Sequence, residues 1–170
     1  DEAIRASIPL TTLDECPELD VTIDGADQIN DELDAIKGGG GALLREKVVA
    51  SASRLFIIVA DETKLTKTLG SGCRLPIEVL PFAVKPVLNR IGQLGAKSAL
   101  RTWGGKLGPM MTENGNFIVD ADFDAINDPC ELEKGLKSIP GVIETGLFPG
   151  YAEIAYVGTK RGVRRIEKGT

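Results

Sequence analysis

The chain has 170 residues, 42% of them hydrophobic and 26% charged, which is a globular composition with apolar side chains enough for one substantial core or two small ones. Its formal net charge of −5 argues against nucleic acid as the main partner, and no apolar run approaches the roughly 20 residues that a membrane helix needs. Histidine is absent, which excludes imidazole metal sites and Ser–His or Cys–His pairs and leaves a carboxylate, a lysine or a cysteine as any general base.

Residues 1–18 read as the tail of a helix and a connecting segment, with Thr11 or Thr12 capping a short turn to which Glu15 reaches back. Leu19, Val21 and Ile23 alternate as a half-buried strand does, and Asp24-Gly25-Ala26-Asp27 closes it. Lys37 then opens K-G-G-G-G-A-L-L-R-E-K, with four consecutive glycines, Gly38 to Gly41, running into helical spacing. The spacing predicts a helix over about 41–53 with Leu44, Val48 and Ala52 on one stripe and Leu43 and Val49 beside it. Glu46 falls on a different face, toward a site or toward water, and spacing alone favours water. A second strand over 55–60 ends in Asp61-Glu62-Thr63-Lys64, so that strand, loop, helix and strand follow the βαβ order of a parallel sheet.

Gly70-Ser71-Gly72 reads as a linker, after which Leu75-Pro76-Ile77-Glu78-Val79 opens a second unit. A helix is expected over 83–94, with Pro86 tolerable only in its first turn. A strand near 98–103, Gly104-Gly105 and a strand near 109–112 follow, and Glu113-Asn114-Gly115-Asn116 joins the last by a hairpin to 117–120. Asp128-Pro129-Cys130-Glu131 starts a helix that ends before Pro140-Gly141. Strands are expected over 142–147 and 152–157, the last returning to the first sheet, and the basic run 160–165 reads as a solvated tail. Cys16, Cys73 and Cys130 are odd in number and far apart, which suits free thiols in a reducing compartment.

A glycine run is costly in a folded backbone, and one reason for it is a ligand seated directly on backbone N–H groups at a helix start, where the dipole favours an anion. The bare run is equally a flexible loop, since it fits neither the dinucleotide fingerprint nor the Walker loop. Asp24 and Asp27 are likewise Asx-turn residues by themselves, and Lys64 an exposed lysine at a helix start. In a parallel sheet, however, ligands sit beyond the carboxyl ends of the strands, and all these polar clusters fall at that edge. With the chain negative overall, an anionic ligand is drawn by this local pocket. Asp24, Asp27, Asp31 and Asp34 could hold magnesium, but their spacing lacks a calcium-loop pattern, so no metal and no cofactor are assigned.

The sequence resembles ribose-5-phosphate isomerase, type A, through D-G-A-D at 24–27, K-G-G-G-G-A-L-L-R-E-K at 37–47 and the Asp-x-x-Lys ending at Lys64. L-P-I-E-V at 75–79, T-E-N-G-N-F-I-V-D at 112–120 and G-L-F at 146–148 extend the likeness collinearly over essentially the whole chain. Gln28 stands where the family usually carries an acid, and family members begin with several dozen further residues, including a Thr/Ser/Gly-rich phosphate loop. The resemblance implies an α/β fold: a Rossmann-like parallel-sheet domain, incomplete at its N-terminus, over 1–70 and 147–170, and a small α+β ferredoxin-like domain over 71–146. It implies interconversion of ribose 5-phosphate and ribulose 5-phosphate through an enediol(ate), a reaction that needs no metal. Glu46 would be the base, Lys37 and the Gly38, Gly39 and Gly40 amides would stabilise the oxyanion, and Asp24 would serve ring opening. Gly25, Ala26, Asp27 and Lys64 would line the substrate. It further implies a cytoplasmic homodimer or homotetramer, with an organellar address left open. Two rivals stand beside it: a sugar-phosphate sensor without turnover, and an inactive fragment lacking the phosphate loop. The 170 residues alone are expected to be weakly active or inactive and to expose an unpaired sheet edge.

Overall fold

The computed structural model describes residues 2–102 and 108–169. The chain runs through α1 (Glu2–Arg5), β1 (Leu19–Asp24), β2 (Gln28–Ile29), β3 (Ala35–Ile36), α2 (Leu43–Ser51) and β4 (Ser53–Asp61) to a 3₁₀ turn at Glu62–Lys64. It continues through β5 (Leu75–Val79), α3 (Val84–Gln93), β6 (Lys97–Leu100), β7 (Phe117–Asp122), α4 (Pro129–Lys137) and β8 (Val142–Thr145). The closing strands are β9 (Leu147–Phe148), β10 (Ile154–Thr159) and β11 (Gly162–Glu167).

One sheet has the order β1-β4-β10-β11, its first three strands parallel and β11 antiparallel. Phe56, Ile58, Ala155 and Val157 turn one face of it into a core. The opposite face is uncovered among the described residues: Val21 is 47% exposed and Ile23 65%, and the outer edge of β1 pairs with none of them. The basic run expected to be a tail is instead the β10–β11 hairpin, with Tyr156 opposite Arg165. Thr159 closes its turn by donating to Gly162 O and accepting from Arg161 N, and the charges sit on an edge strand, where they discourage further pairing.

The second sheet has the order β6-β7-β5-β8, all neighbours antiparallel, with α3 and α4 as its crossovers. This βαββαβ arrangement is ferredoxin-like, and the first sheet is Rossmann-like. Val87 and Ile91 of α3 and Leu136 of α4 bury against Leu75, Ile77 and Val79. Asp128 caps α4 by accepting from Glu131 N at 2.9 Å. The expected strand at 109–112 is reduced to single bridges, Pro109 to Thr102 and Met111 to Phe117. The chain turns there to close the hairpin with Thr112 N donating to Asn116 O. Position 103 and Gly104-Gly105 lie outside the described residues.

A three-stranded sheet, β2-β3-β9, joins the two units. Because side chains alternate along a strand, Ala35 and Phe148 enter one core while Ile36 and Leu147 enter the other. Gly146 breaks the expected 142–147 strand just before this seam. Its N–H donates to Pro76 O at 2.7 Å, and its carbonyl accepts from Lys37 N at 2.9 Å. A Cβ on Gly146 would lie 2.2 Å from Lys37 O, so only glycine lets the backbones pass this closely.

Helix α2 packs between β1 and β4 on one side and β5 and β8 on the other. Its buried residues are Leu43, Lys47 and Ala50, one or two positions before the stripe of Leu44, Val48 and Ala52 read from hydropathy. The rotation follows from Lys47, whose ammonium meets Glu133 Oε1 at 2.5 Å and Glu144 Oε1 at 2.9 Å. Hydropathy assigns a lysine to solvent, and both partners lie more than eighty residues away in sequence.

Candidate active site

The carboxyl ends of β1 and β4, the loop after β3 and the first turn of α2 converge on one hollow of about 310 Å³. Residues 24–27, residues 37–40, Glu46 and Lys64 form its wall, so the structure brings the whole expected set together. Its size falls within the range of small-molecule pockets.

Lys37 follows β3 directly and is 3% exposed. Its Nζ donates to Gly25 O at 2.5 Å and pairs with Asp24 Oδ2 at 2.9 Å and Glu46 Oε2 at 3.2 Å. Three acceptors thus surround one ammonium, while the Phe148 ring lies 5.5 Å away on another side. A buried cation needs such partners, since desolvation without them is prohibitive. The Glu46 contact is ionic, because its Oε2 is shielded from water and has no well-aligned hydrogen bond.

The glycine loop needs its glycines for distinct reasons. Gly38 and Gly41 have φ of +98° and +85°, which side-chain-bearing residues rarely adopt. At Gly39 a Cβ would stand 2.6 Å from Asp27 Oδ1, and the Gly39 N–H donates to Asp27 Oδ2 at 2.7 Å. That amide is therefore engaged by a carboxylate, unlike the free oxyanion donor expected from the sequence. Gly40 has open space beside it, and its N–H has no partner among the described residues.

Lys64 reaches the hollow from the 3₁₀ turn after β4, which Asp61 caps by accepting from Thr63 N at 2.8 Å and from its hydroxyl at 2.5 Å. The Thr63 hydroxyl and then its N–H hold the exposed Asp61 carboxyl below its ordinary value. A neighbouring hollow of about 670 Å³ shares Asp27, Gly39 and Lys64 with the first and adds Arg74, Arg101 and Asp120. Cys73 also lines it; burial, and then the Asp27 charge, push its thiol upward, so it stays protonated near neutrality. Among the described residues no three acidic or cysteine side chains converge as a metal site; Asp34 accepts from Gly150 N and Asp31 is exposed.

The triplet Arg45-Glu46-Lys47 divides its labour. Arg45 pairs with Glu113 at 2.6 Å and donates to Asn114 Oδ1, Glu46 faces Lys37, and Lys47 enters the buried cluster of Glu133 and Glu144. Burial pushes the Glu144 carboxyl up, but Lys137, Lys47 and the Thr145 N–H outweigh it and leave the group below its ordinary value. Sequence reasoning missed Arg101 and Asp120, which hold the glycine loop from the second sheet. The available signal was strand alternation, which puts a basic and an acidic side chain on one face of β6 and β7.

The profile of the family described as ribose 5-phosphate isomerase A (phosphoriboisomerase A) matches residues 1–162. A protein of Methanosarcina acetivorans named ribose-5-phosphate isomerase A is 52% identical over 164 residues, covering 96% of this chain and 69% of the relative. One of the same name from Gloeothece citriformis is 47% identical over 156 residues, covering 92% of this chain and 66% of its own length. A solved D-ribose-5-phosphate isomerase in complex with phospho-erythronic acid superposes with a TM-score of 0.95 at 44% identity, over 97% of this chain and 72% of that one. The chain therefore spans about two thirds of the length of the curated relatives it matches.

Proposed function

Because the chain belongs to the ribose 5-phosphate isomerase A family, we propose that it interconverts ribose 5-phosphate and ribulose 5-phosphate through an enediol(ate), with Glu46 as the base. The single observation that carries this reading is the Lys37 ammonium held between Asp24 and Glu46 at the mouth of the glycine loop. Glu46 takes the proton from carbon 2 of the open-chain aldose and returns it to carbon 1 on the same face. As the proton leaves, negative charge grows on the substrate oxygen, and Lys37 with the Gly40 amide meets it. Asp24 moves the proton between the two oxygens and assists opening of the furanose ring. Asp27 holds hydroxyls, and Lys64 contacts the substrate from the edge of β4.

The same reading divides the chain into a catalytic domain over 1–70 and 147–170 and a small domain over 71–146, which the two separate cores support. It includes a homodimer or homotetramer, for which the 94%-exposed Phe82 offers an apolar surface, and a cytoplasmic setting that suits three unpaired cysteines. No helix among the described residues is long and apolar enough to cross a membrane.

The test is to compare the chain with Glu46→Gln, following ribulose 5-phosphate formation and solvent deuterium entering the product. Turnover is expected to fall about 10²- to 10⁴-fold, the usual contribution of a positioned base, with substrate binding retained. Equal, measurable turnover in both proteins would exclude Glu46 as the base, and binding without turnover in the parent chain would favour one of the two rivals without turnover.

A further inference from the structure

We propose that Arg101 is a positioning residue for this reaction, a clamp from the second sheet that sets which amide of the glycine loop faces the substrate. The proposal rests on the isomerase reading for its catalytic consequence, but the clamp itself rests on geometry alone. Arg101 directly follows β6, where its N–H donates to Ile118 O at 2.8 Å and its carbonyl accepts from Met110 N at 2.8 Å. Ala99 is registered opposite Asp120, so Arg101, two residues on, projects from the same face as Asp120. The guanidinium binds that carboxylate with two donors, Nε to Oδ2 at 2.9 Å and Nη2 to Oδ1 at 2.5 Å. Its remaining nitrogen, Nη1, donates to Gly38 O at 3.0 Å and Gly39 O at 2.9 Å.

A trans peptide aims its C=O and N–H in opposite directions. Fixing the Gly38 carbonyl on Arg101 therefore turns the Gly39 N–H away, and there it meets Asp27. Fixing the Gly39 carbonyl turns the Gly40 N–H away as well, and this donor has no partner among the described residues. Gly40 lies on the wall of the hollow that holds Glu46 and Lys37. Of the two amides it orients, the clamp thus leaves Gly40 as an oxyanion donor and Gly39 to orient Asp27. A cation on the carbonyl side also polarises both peptides, making each N–H a stronger donor. Lysine cannot replace this arrangement, because one compact ammonium cannot span a carboxylate and two carbonyls in a planar fork.

The test uses Arg101→Met and Arg101→Lys, with Asp120→Asn as a milder variant that retains the guanidinium but weakens its anchor. The first readout is amide hydrogen exchange. Gly39 and Gly41, the hydrogen-bonded loop amides, are expected to exchange about tenfold faster or more in Arg101→Met, with Ile58 and Val119 unchanged, as for a local opening. The second is steady-state kinetics: kcat falls on the order of 10- to 100-fold with KM nearly unchanged, as expected for misplacement of about 1 Å, and Arg101→Lys fails to restore it. Asp120→Asn shifts both readouts the same way by less. Loop exchange at the parent rate in Arg101→Met overturns the clamp whether or not the chain turns over. Faster loop exchange with an unchanged kcat, or with the loss confined to KM, overturns its catalytic role. A parent chain that binds ribose 5-phosphate without isomerising it counts against the isomerase reading instead, and exchange then judges the clamp alone.

Discussion

Replacing Gly146 by alanine tests the seam on which the site is built. The new Cβ would sit 2.2 Å from Lys37 O, 3.0 Å from Pro76 Cδ and 3.1 Å from Pro76 O. Ordinary carbon–oxygen contact begins near 3.4 Å, so the strands must part by about 1 Å, and the obstacle is backbone on both sides. That shift strains two buried hydrogen bonds, Lys37 N to Gly146 O at 2.9 Å and Gly146 N to Pro76 O at 2.7 Å. Leaving a buried backbone group unsatisfied costs about 1–3 kcal/mol, so losing both predicts a destabilisation of roughly 2–6 kcal/mol. Against a total of about 5–15 kcal/mol this is large and easily read by urea unfolding. The same shift moves Lys37, so residual turnover is expected to drop about 100-fold beyond any loss of folded protein. Gly158→Ala is the control: its Cβ would approach nothing nearer than Ala60 O at 3.8 Å, and a change of about 0.5 kcal/mol or less is expected. Should Gly146→Ala match Gly158→Ala in stability, the close-approach reasoning is wrong.

Burial and charge predict three further outcomes. Lys47→Met removes the cation shared by Glu133 and Glu144 and is expected to cost about 3 kcal/mol, because Glu133 loses its ammonium partner and Glu144 keeps only Lys137. Glu144 lies below its ordinary value near 4.5, so its stabilising contribution is complete above that pH and disappears as acid protonates the folded form. Unfolding free energy should therefore decline on acidification below about pH 4.5, and decline less steeply in Lys47→Met; identical acid profiles would contradict the assignment. On the bare face of the first sheet, Ile23→Thr should reduce binding of an apolar dye and concentration-dependent association, with stability shifted by about 0.5 kcal/mol or less. Undiminished dye binding would mean that another surface is responsible.

Much of this protein is legible without coordinates because the relevant physics is local. A glycine run before a helical repeat marks a backbone-walled loop, Asp128 with Pro129 and Glu131 marks a helix start, and Asn114-Gly115 marks a turn, each through contacts spanning a few residues. Strand ends carrying Asp24 and Asp61 then indicate which edge of a parallel sheet holds a ligand. Two of the misreadings come from distant partners; at 162–167 the partner is a neighbouring strand, and the basic side chains of the run hid the hairpin. The rotation of α2 depends on carboxylates at 133 and 144, the strand at 162–167 on its partner β10, and the loop clamp on Arg101, some sixty residues from the glycines it grips.

Residue identities alone supply the chemical inventory: a lysine, two carboxylates and a glycine loop, with no imidazole to share their work. Which lysine is enclosed by Glu133 and Glu144, and which lies between Asp24 and Glu46 in the hollow, was settled by the fold alone. That choice depends on the distant carboxylates, carbonyls and aromatic ring that replace water around each ammonium.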